Sequence, residues 1–299
     1  MPTFDLVIAL DWSAASGRKP NPCEDRCWLS WSLAESPTGE RPDPEYMPTR
    51  LEAEARVRSL LEQHAGARTL VAFDFAIGLP LAEHNEPVLP AGRELCAMLA
   101  ERITDDPSGV NNRFEAADAL NREIRTALGT DAGPFWGRPK EHAHLRELHF
   151  TKPSATRVRT LREAERFARK ATKTKPKSPW QLAGIGSVGS QQLMGLPTVH
   201  RLLTDPAIGP RAHLWPFEPA PDTPGAVTIA EMYPALFPER APMHWYKDAR
   251  QVTDARDALL AMPIDQALAT PPEPALARSV RLEGWILGLP SRIAPDESA

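Results

Sequence analysis

The chain has 299 residues, 42% of them hydrophobic, with 35 Lys and Arg against 39 Asp and Glu. That composition excludes a disordered protein and allows one large domain or a domain carrying an insertion. Three cysteines, Cys23, Cys27 and Cys96, are too few for a disulfide framework. No apolar run approaches the roughly 20 residues that a membrane span needs, so the expected setting is the cytoplasm with reduced thiols.

In chain order, the first element is a strand from Phe4 to Asp11, whose run Leu6-Val7-Ile8-Ala9-Leu10 is apolar enough to be central in a sheet yet ends in a carboxylate. CWLSWSL, residues 27 to 33, alternates as a half-exposed second strand, and a short third strand is expected near Tyr46. Thr49 can cap a helix over RLEAEARVRSLLEQHA. The grammar of the first strand then returns from Leu70 to Asp74, closed by Gly78 and Pro80. Far downstream, AVTIAEMYP, residues 226 to 234, is a β-rich run carrying Glu231, and TDARDALLAM is expected to open a helix with Thr253 or Asp254 near its cap. Asp254 and Asp257 share one face of that helix at spacing i, i+3.

The order strand, strand, strand, helix, strand, with acids ending the first and fourth strands and Asp-x-x-Asp-Ala-Leu on a late helix, resembles the ribonuclease H-like fold. DARDALLA, Asp254 to Ala261, is similar to the last acidic motif of the Holliday-junction resolvase branch. More closely, DFAIGLP (Asp74 to Pro80), AEMYPALFP (Ala230 to Pro238) and DARDAL (Asp254 to Leu259) resemble the family known as domain of unknown function 429, whose members are predicted nucleases. The resemblance implies an α/β protein with a ribonuclease H-like mixed sheet flanked by helices. Its core would be residues 1–80 and 226–299, with a large, mainly helical insertion at 81–225.

It further implies a metal-dependent nuclease. Hard divalent cations take oxygen ligands, so two to four converging carboxylates suffice to bind Mg2+ or Mn2+. Asp11, Asp74 and Asp257 are the expected ligands, with Asp254 and Glu231 in support. Two ions roughly 3.5–4 Å apart could activate water and steady the leaving oxygen of a phosphodiester. The ordinary alternative for a strand-terminal Asp is a turn or helix cap. Two rival readings accompany the nuclease. One is a non-catalytic module binding nucleotide or nucleic acid. The other is an actin-like small-molecule phosphoryl-transfer enzyme, which a closed pocket with the glycine-rich turn facing the acids would favour, whereas basic charge near the acidic cluster would favour the nuclease and the non-catalytic module.

The insertion carries two signals of its own. Gly184, Gly186 and Gly189 have dinucleotide-binding spacing, but no βαβ unit surrounds them, so they are expected to shape a turn into a helix through QQLMGLPTVHRLL. Between Arg138 and Lys177 stand thirteen Lys and Arg against four Glu. Within that block a helix is expected over Thr156 to Lys177, presenting Arg157, Arg159, Arg162, Arg166, Arg169 and Lys170 as a footprint for nucleic acid or another phosphate-bearing partner. Phe135, Trp136 and Trp180 flank it as core residues that could otherwise stack on bases. His142, His144 and His149 lack a zinc-protease pattern and read as surface or packing residues. Lys247 and Arg250 read as solvated surface.

Overall fold

The computed structural model describes residues 2–37, 40–184, 187–243 and 245–292. Six strands form one mixed sheet: β1 (Leu6–Asp11), β2 (Cys27–Leu33), β3 (Glu45–Met47), β4 (Thr69–Phe73), β5 (Ala212–Leu214) and β6 (Val227–Glu231). They lie in the order β3-β2-β1-β4-β6-β5. β2 pairs antiparallel with β1 and β3, whereas β1, β4, β6 and β5 run parallel.

The apolar runs explain why β1, β4 and β6 are central. All three are buried along their whole length, as parallel strands covered on both faces must be. Leu6, Ile8, Leu10, Val71, Phe73, Val227 and Ile229 point into one core layer. Val7, Ala9, Leu70, Ala72 and Ala230 point into the other. Helices α1 (Arg50–Gln63), α2 (Gly92–Arg102), α3 (Arg113–Leu128) and α5 (Gly189–Thr204) supply the first layer, with Val57, Leu95, Leu120 and Leu193 among its members. Helices α4 (Glu163–Ala171), α6 (Lys247–Ala261), α7 (Ile264–Ala267) and α8 (Pro274–Glu283) supply the second, through Phe167, Val252, Ala267 and Val280. No helix among the described residues is long and apolar enough to cross a membrane.

Several expectations match the structure. Thr49 caps α1, its hydroxyl accepting from the Glu52 amide at 3.2 Å. The segment at 81–225 holds α2, α3, α4 and α5 joined by long irregular stretches, and it does not stand apart. It contributes β5 to the sheet, and its Phe135, Trp180 and Leu193 share a core with Leu6 and Ile8. At three residues β5 is too short to show a period in sequence.

Two helices differ from their expected bounds. The late helix begins at Lys247, not at Thr253 or Asp254, because the buried face Ala249, Val252, Ala255 and Leu259 runs back past that point. The basic helix shrinks to Glu163–Ala171. Upstream, Arg157 has φ +53° and Val158 bridges Ala82. Downstream, the carbonyl of Pro176 holds the Arg169 guanidinium.

Candidate functional site

Three neighbouring parallel strands deliver acids to one edge of the sheet: Asp11 ends β1, Asp74 follows β4, and Glu231 ends β6. The Asp74 amide donates to the Leu10 carbonyl at 3.1 Å, which sets Asp74 beside Asp11. Beyond Asp11, Trp12 turns into the core and meets Phe73 and Phe75 edge-on. Its amide donates to Asp74 Oδ1 at 2.7 Å. Arg50 clamps the next stretch, reaching the carbonyls of Ser13 at 3.0 Å and Ala15 at 2.8 Å while paired with Asp105. The turn presenting Asp11 is therefore fixed from several sides.

Asp11 and Asp74 line a cleft of about 710 Å³. Burial, then the charges of Asp74 and Asp248, hold the Asp11 carboxyl well above the usual carboxylate range. Burial likewise pushes Asp74 up to about 7, against the pull of the Trp12 amide. The two carboxyl groups lie close enough to shift one another, Asp11 upward and Asp74 downward. No lysine or arginine is ion-paired with either among the described residues.

The third acid of this cluster is Asp248, in the first turn of α6. Burial raises its pKa, and the Asp25 amide donates to its Oδ2 at 2.9 Å. Asp248 was not among the expected ligands. The signal for it was the backward run of small and apolar residues from Leu259 to Ala249, which places the helix start, and an acid, at this position.

The other expected acids are engaged elsewhere. Glu231 receives the Ile77 amide at 3.1 Å and a two-pronged contact from Arg162, at 2.7 and 2.5 Å. Asp254 is not an N-cap. It lies within α6, and its Oδ1 accepts the amides of Arg240 and Ala241 at 3.0 and 2.8 Å. Asp257 is paired with Arg41 and Arg256, each at 2.8 Å. Neither Asp254 nor Asp257 lines the cleft that holds Asp11 and Asp74.

The expected nucleic-acid footprint is likewise dispersed. Arg162 is 0% exposed and bound to Glu165 and Glu231, so it has no face for a ligand. Arg159 pairs with Glu163. Arg157, Arg166, Arg169 and Lys170 are exposed, but no residue from 156 to 177 lines the cleft. Phe135 and Trp180 are core residues stacked edge-on, and Trp136 packs against the same core.

The same cleft is lined by basic and polar groups that sequence reasoning had not assembled. Arg113, at the start of α3, lines the cleft beside Phe114. Burial first, and then Arg50, lower its pKa to about 10, and it donates to Ser190 Oγ at 3.2 Å. Gly184, Ser187 and Ser190 line the cleft as well. α5 opens at Gly189, as the glycine-rich turn suggested, because a Cβ there would lie 2.3 Å from the Pro179 carbonyl. Gly186 lies outside the described residues. Gln191 donates to the Trp12 carbonyl at 2.7 Å, tying this segment to the Asp11 turn. Lys247, expected as plain surface, also lines the cleft.

Buried carboxylates are ordinarily paired with cations or bound to metals. Asp11, Asp74 and Asp248 line one cleft, and among the described residues none of the three is ion-paired with a lysine or arginine. No family model, no curated protein and no solved structure matches the chain.

Proposed function

We propose that the protein is a divalent-metal-dependent hydrolase of phosphodiesters, a nuclease of ribonuclease H-like type. The observation that carries this reading is the pair of strand-end carboxylates, buried Asp11 and half-buried Asp74, left without an ion-paired cation among the described residues in a cleft that Arg113 and Ser190 also line. Supporting it, the strand order runs β3-β2-β1-β4-β6 with only β2 antiparallel to its neighbours, the arrangement expected for that fold. The resemblance to domain of unknown function 429 belongs to the same proposal.

In this reading Asp11, Asp74 and Asp248 would hold Mg2+ or Mn2+. Bound there, the ion would polarise a phosphoryl oxygen and lower the pKa of an attacking water. Arg113 and Lys247, which line the same cleft, would orient the phosphate by charge. The Trp12 amide keeps Asp74 Oδ1 turned toward the first strand and so fixes its rotamer. Arg50 and Gln191 hold the Asp11 turn so that its carboxylate needs little reorganisation.

A second reading has its own observation. Gly184, Ser187, Val188 and Ser190 line the same cleft as the acids, and no residue of the basic block from 156 to 177 lines it. That arrangement favours a small phosphorylated substrate, such as a nucleotide, over a long polyanion gripped by Arg166 and Lys170.

The test compares a labelled oligonucleotide, bis(p-nitrophenyl) phosphate and a nucleoside triphosphate as substrates with Mn2+. Phosphodiester cleavage reduced about 10³-fold or more by Asp11→Asn and by Asp74→Asn is expected. Hydrolysis of the triphosphate alone would select the second reading. Cleavage that survives Asp74→Asn, or hydrolysis of none of the three, would sink both.

A further inference from the structure

A different donor set stands on the rim of the same cleft. Glu115, in the first turn of α3, and His142 and His144, in the turn after Pro139, place one potential ligand atom each within 4.8 Å of one another. Their chain neighbours Phe114, Pro139 and Glu141 line the cleft, but these three residues do not.

We propose that Glu115, His142 and His144 form a second metal site, for a borderline transition ion of the Zn2+ class, distinct from the carboxylate set of Asp11, Asp74 and Asp248. Two imidazoles and a carboxylate suit Zn2+, Co2+ or Ni2+, whereas an all-oxygen set suits Mg2+ or Mn2+.

The geometry points to shared ligation rather than to a simple ion pair. The Nδ1 atom of His142 is enclosed and makes no hydrogen bond, although Glu115 Oε1 stands 3.4 Å away. That spacing is too long for a good hydrogen bond. It is the spacing of two donors on one tetrahedral ion, roughly 3.3–3.5 Å when each bond is about 2.0–2.2 Å. No arginine or lysine is ion-paired with Glu115 among the described residues.

The scaffold beneath the histidines is already ordered. The Ala143 amide donates to the Lys140 carbonyl at 3.2 Å, and the Leu145 amide donates to the His142 carbonyl at 3.0 Å. Arg138 donates to the Ala143 carbonyl at 3.3 Å. Phe114 packs on the His142 ring, with centroids 4.7 Å apart, and fixes its plane. His144 and Glu115 are exposed, so their side chains can draw in by about 1 Å without disturbing the core. Three protein ligands leave a tetrahedral ion one open position for water or a substrate oxygen.

The experiment titrates chelator-treated full-length protein with Zn2+ by calorimetry and with Co2+ by visible absorption. One equivalent of Zn2+ is expected to bind. His144→Ala and Glu115→Gln, both at exposed positions, should each weaken binding at least tenfold and remove the tetrahedral Co2+ bands. Asp11→Asn should change neither. Zn2+ affinity untouched by both rim substitutions, affinity lost in Asp11→Asn, or no Zn2+ binding at all would overturn the proposal. Because the readout is metal binding, its failure is separable from any failure of the phosphodiester reading.

Discussion

Asp11 and Asp74, and Glu231 one strand further along, occupy equivalent places at the ends of adjacent parallel strands, yet they have opposite surroundings. Glu231 is wrapped: Arg162 grips it with both terminal nitrogens, Glu165 holds the same guanidinium, and the Ile77 amide completes the set. Burial works against the Arg162 charge, but Glu165 and Glu231 hold its pKa above the ordinary value. Among the described residues Asp11 and Asp74 have each other, the Trp12 amide and the like-charged neighbours Asp248 and Asp25, but no ion-paired lysine or arginine. An acid at a strand end is therefore no guide to chemistry by itself. What separates lock from site is whether the fold supplies a countercharge.

The largest expected effect comes from removing that countercharge. Arg162→Met leaves Glu165 and Glu231 buried without a cation and should cost about 3–5 kcal/mol in urea unfolding. Asp11→Asn in metal-free protein should cost nothing or stabilise, since it removes one of two crowded charges. A metal-free Asp11→Asn that unfolds as readily as Arg162→Met would erase the contrast.

Next in size is a pH effect. A carboxyl whose pKa is raised by folding binds its proton more tightly in the folded chain than in the unfolded one. Stability from that source is complete below the unfolded value of about 4 and declines as pH rises toward about 7, the value to which Asp74 is pushed. Metal-free protein should lose on the order of 4 kcal/mol across that window. Asp74→Asn should flatten the profile, and saturating Mn2+ at pH 8 should restore stability by binding the folded state. A flat wild-type profile in chelator would show that the pair is not strained.

Smaller effects fall on the acids of the late helix. Asp254→Ala should cost about 1 kcal/mol by releasing two amides. Asp257→Asn should cost less than about 1 kcal/mol, because the Asp257 side chain is itself 34% exposed and buried Arg256 keeps the carbonyls of Trp31 and Pro42. Neither should alter phosphodiester cleavage. Loss of turnover in Asp257→Asn with unchanged Mn2+ binding would return the site to the motif that first drew attention to it.

How much of this was legible in the sequence depends on the range of the forces involved. Apolar runs reveal central strands, because burial on both faces leaves no room for polar alternation, and so β1, β4 and β6 could be read together with Asp11 and Asp74. The cap at Thr49 is local and could be read too. Arg162 could not: a guanidinium 69 residues from Glu231 looks like any other member of a basic run until the fold closes around it. Asp248 and Arg113 were missed for related reasons. The first turns on where a helix begins, and the second on which cleft α3 lines. The pairing of Glu115 with a histidine turn more than twenty residues later left no mark in spacing at all.

Gly78 has a consequence for the order in which the protein is made. A Cβ there would lie 2.1 Å from the Glu283 carbonyl, and the neighbouring Leu81 amide donates to the Glu283 side chain across 202 residues. Glu283 also receives the Glu163 amide, and its carbonyl receives Arg162. During synthesis the strands bearing Asp11 and Asp74 emerge early and can pair at once. The polar knot beside them must wait until α8 has left the ribosome. Contacts that span so much of the chain carry a large loop-closure cost, and they tie the end of the fold to the turn that follows Asp74.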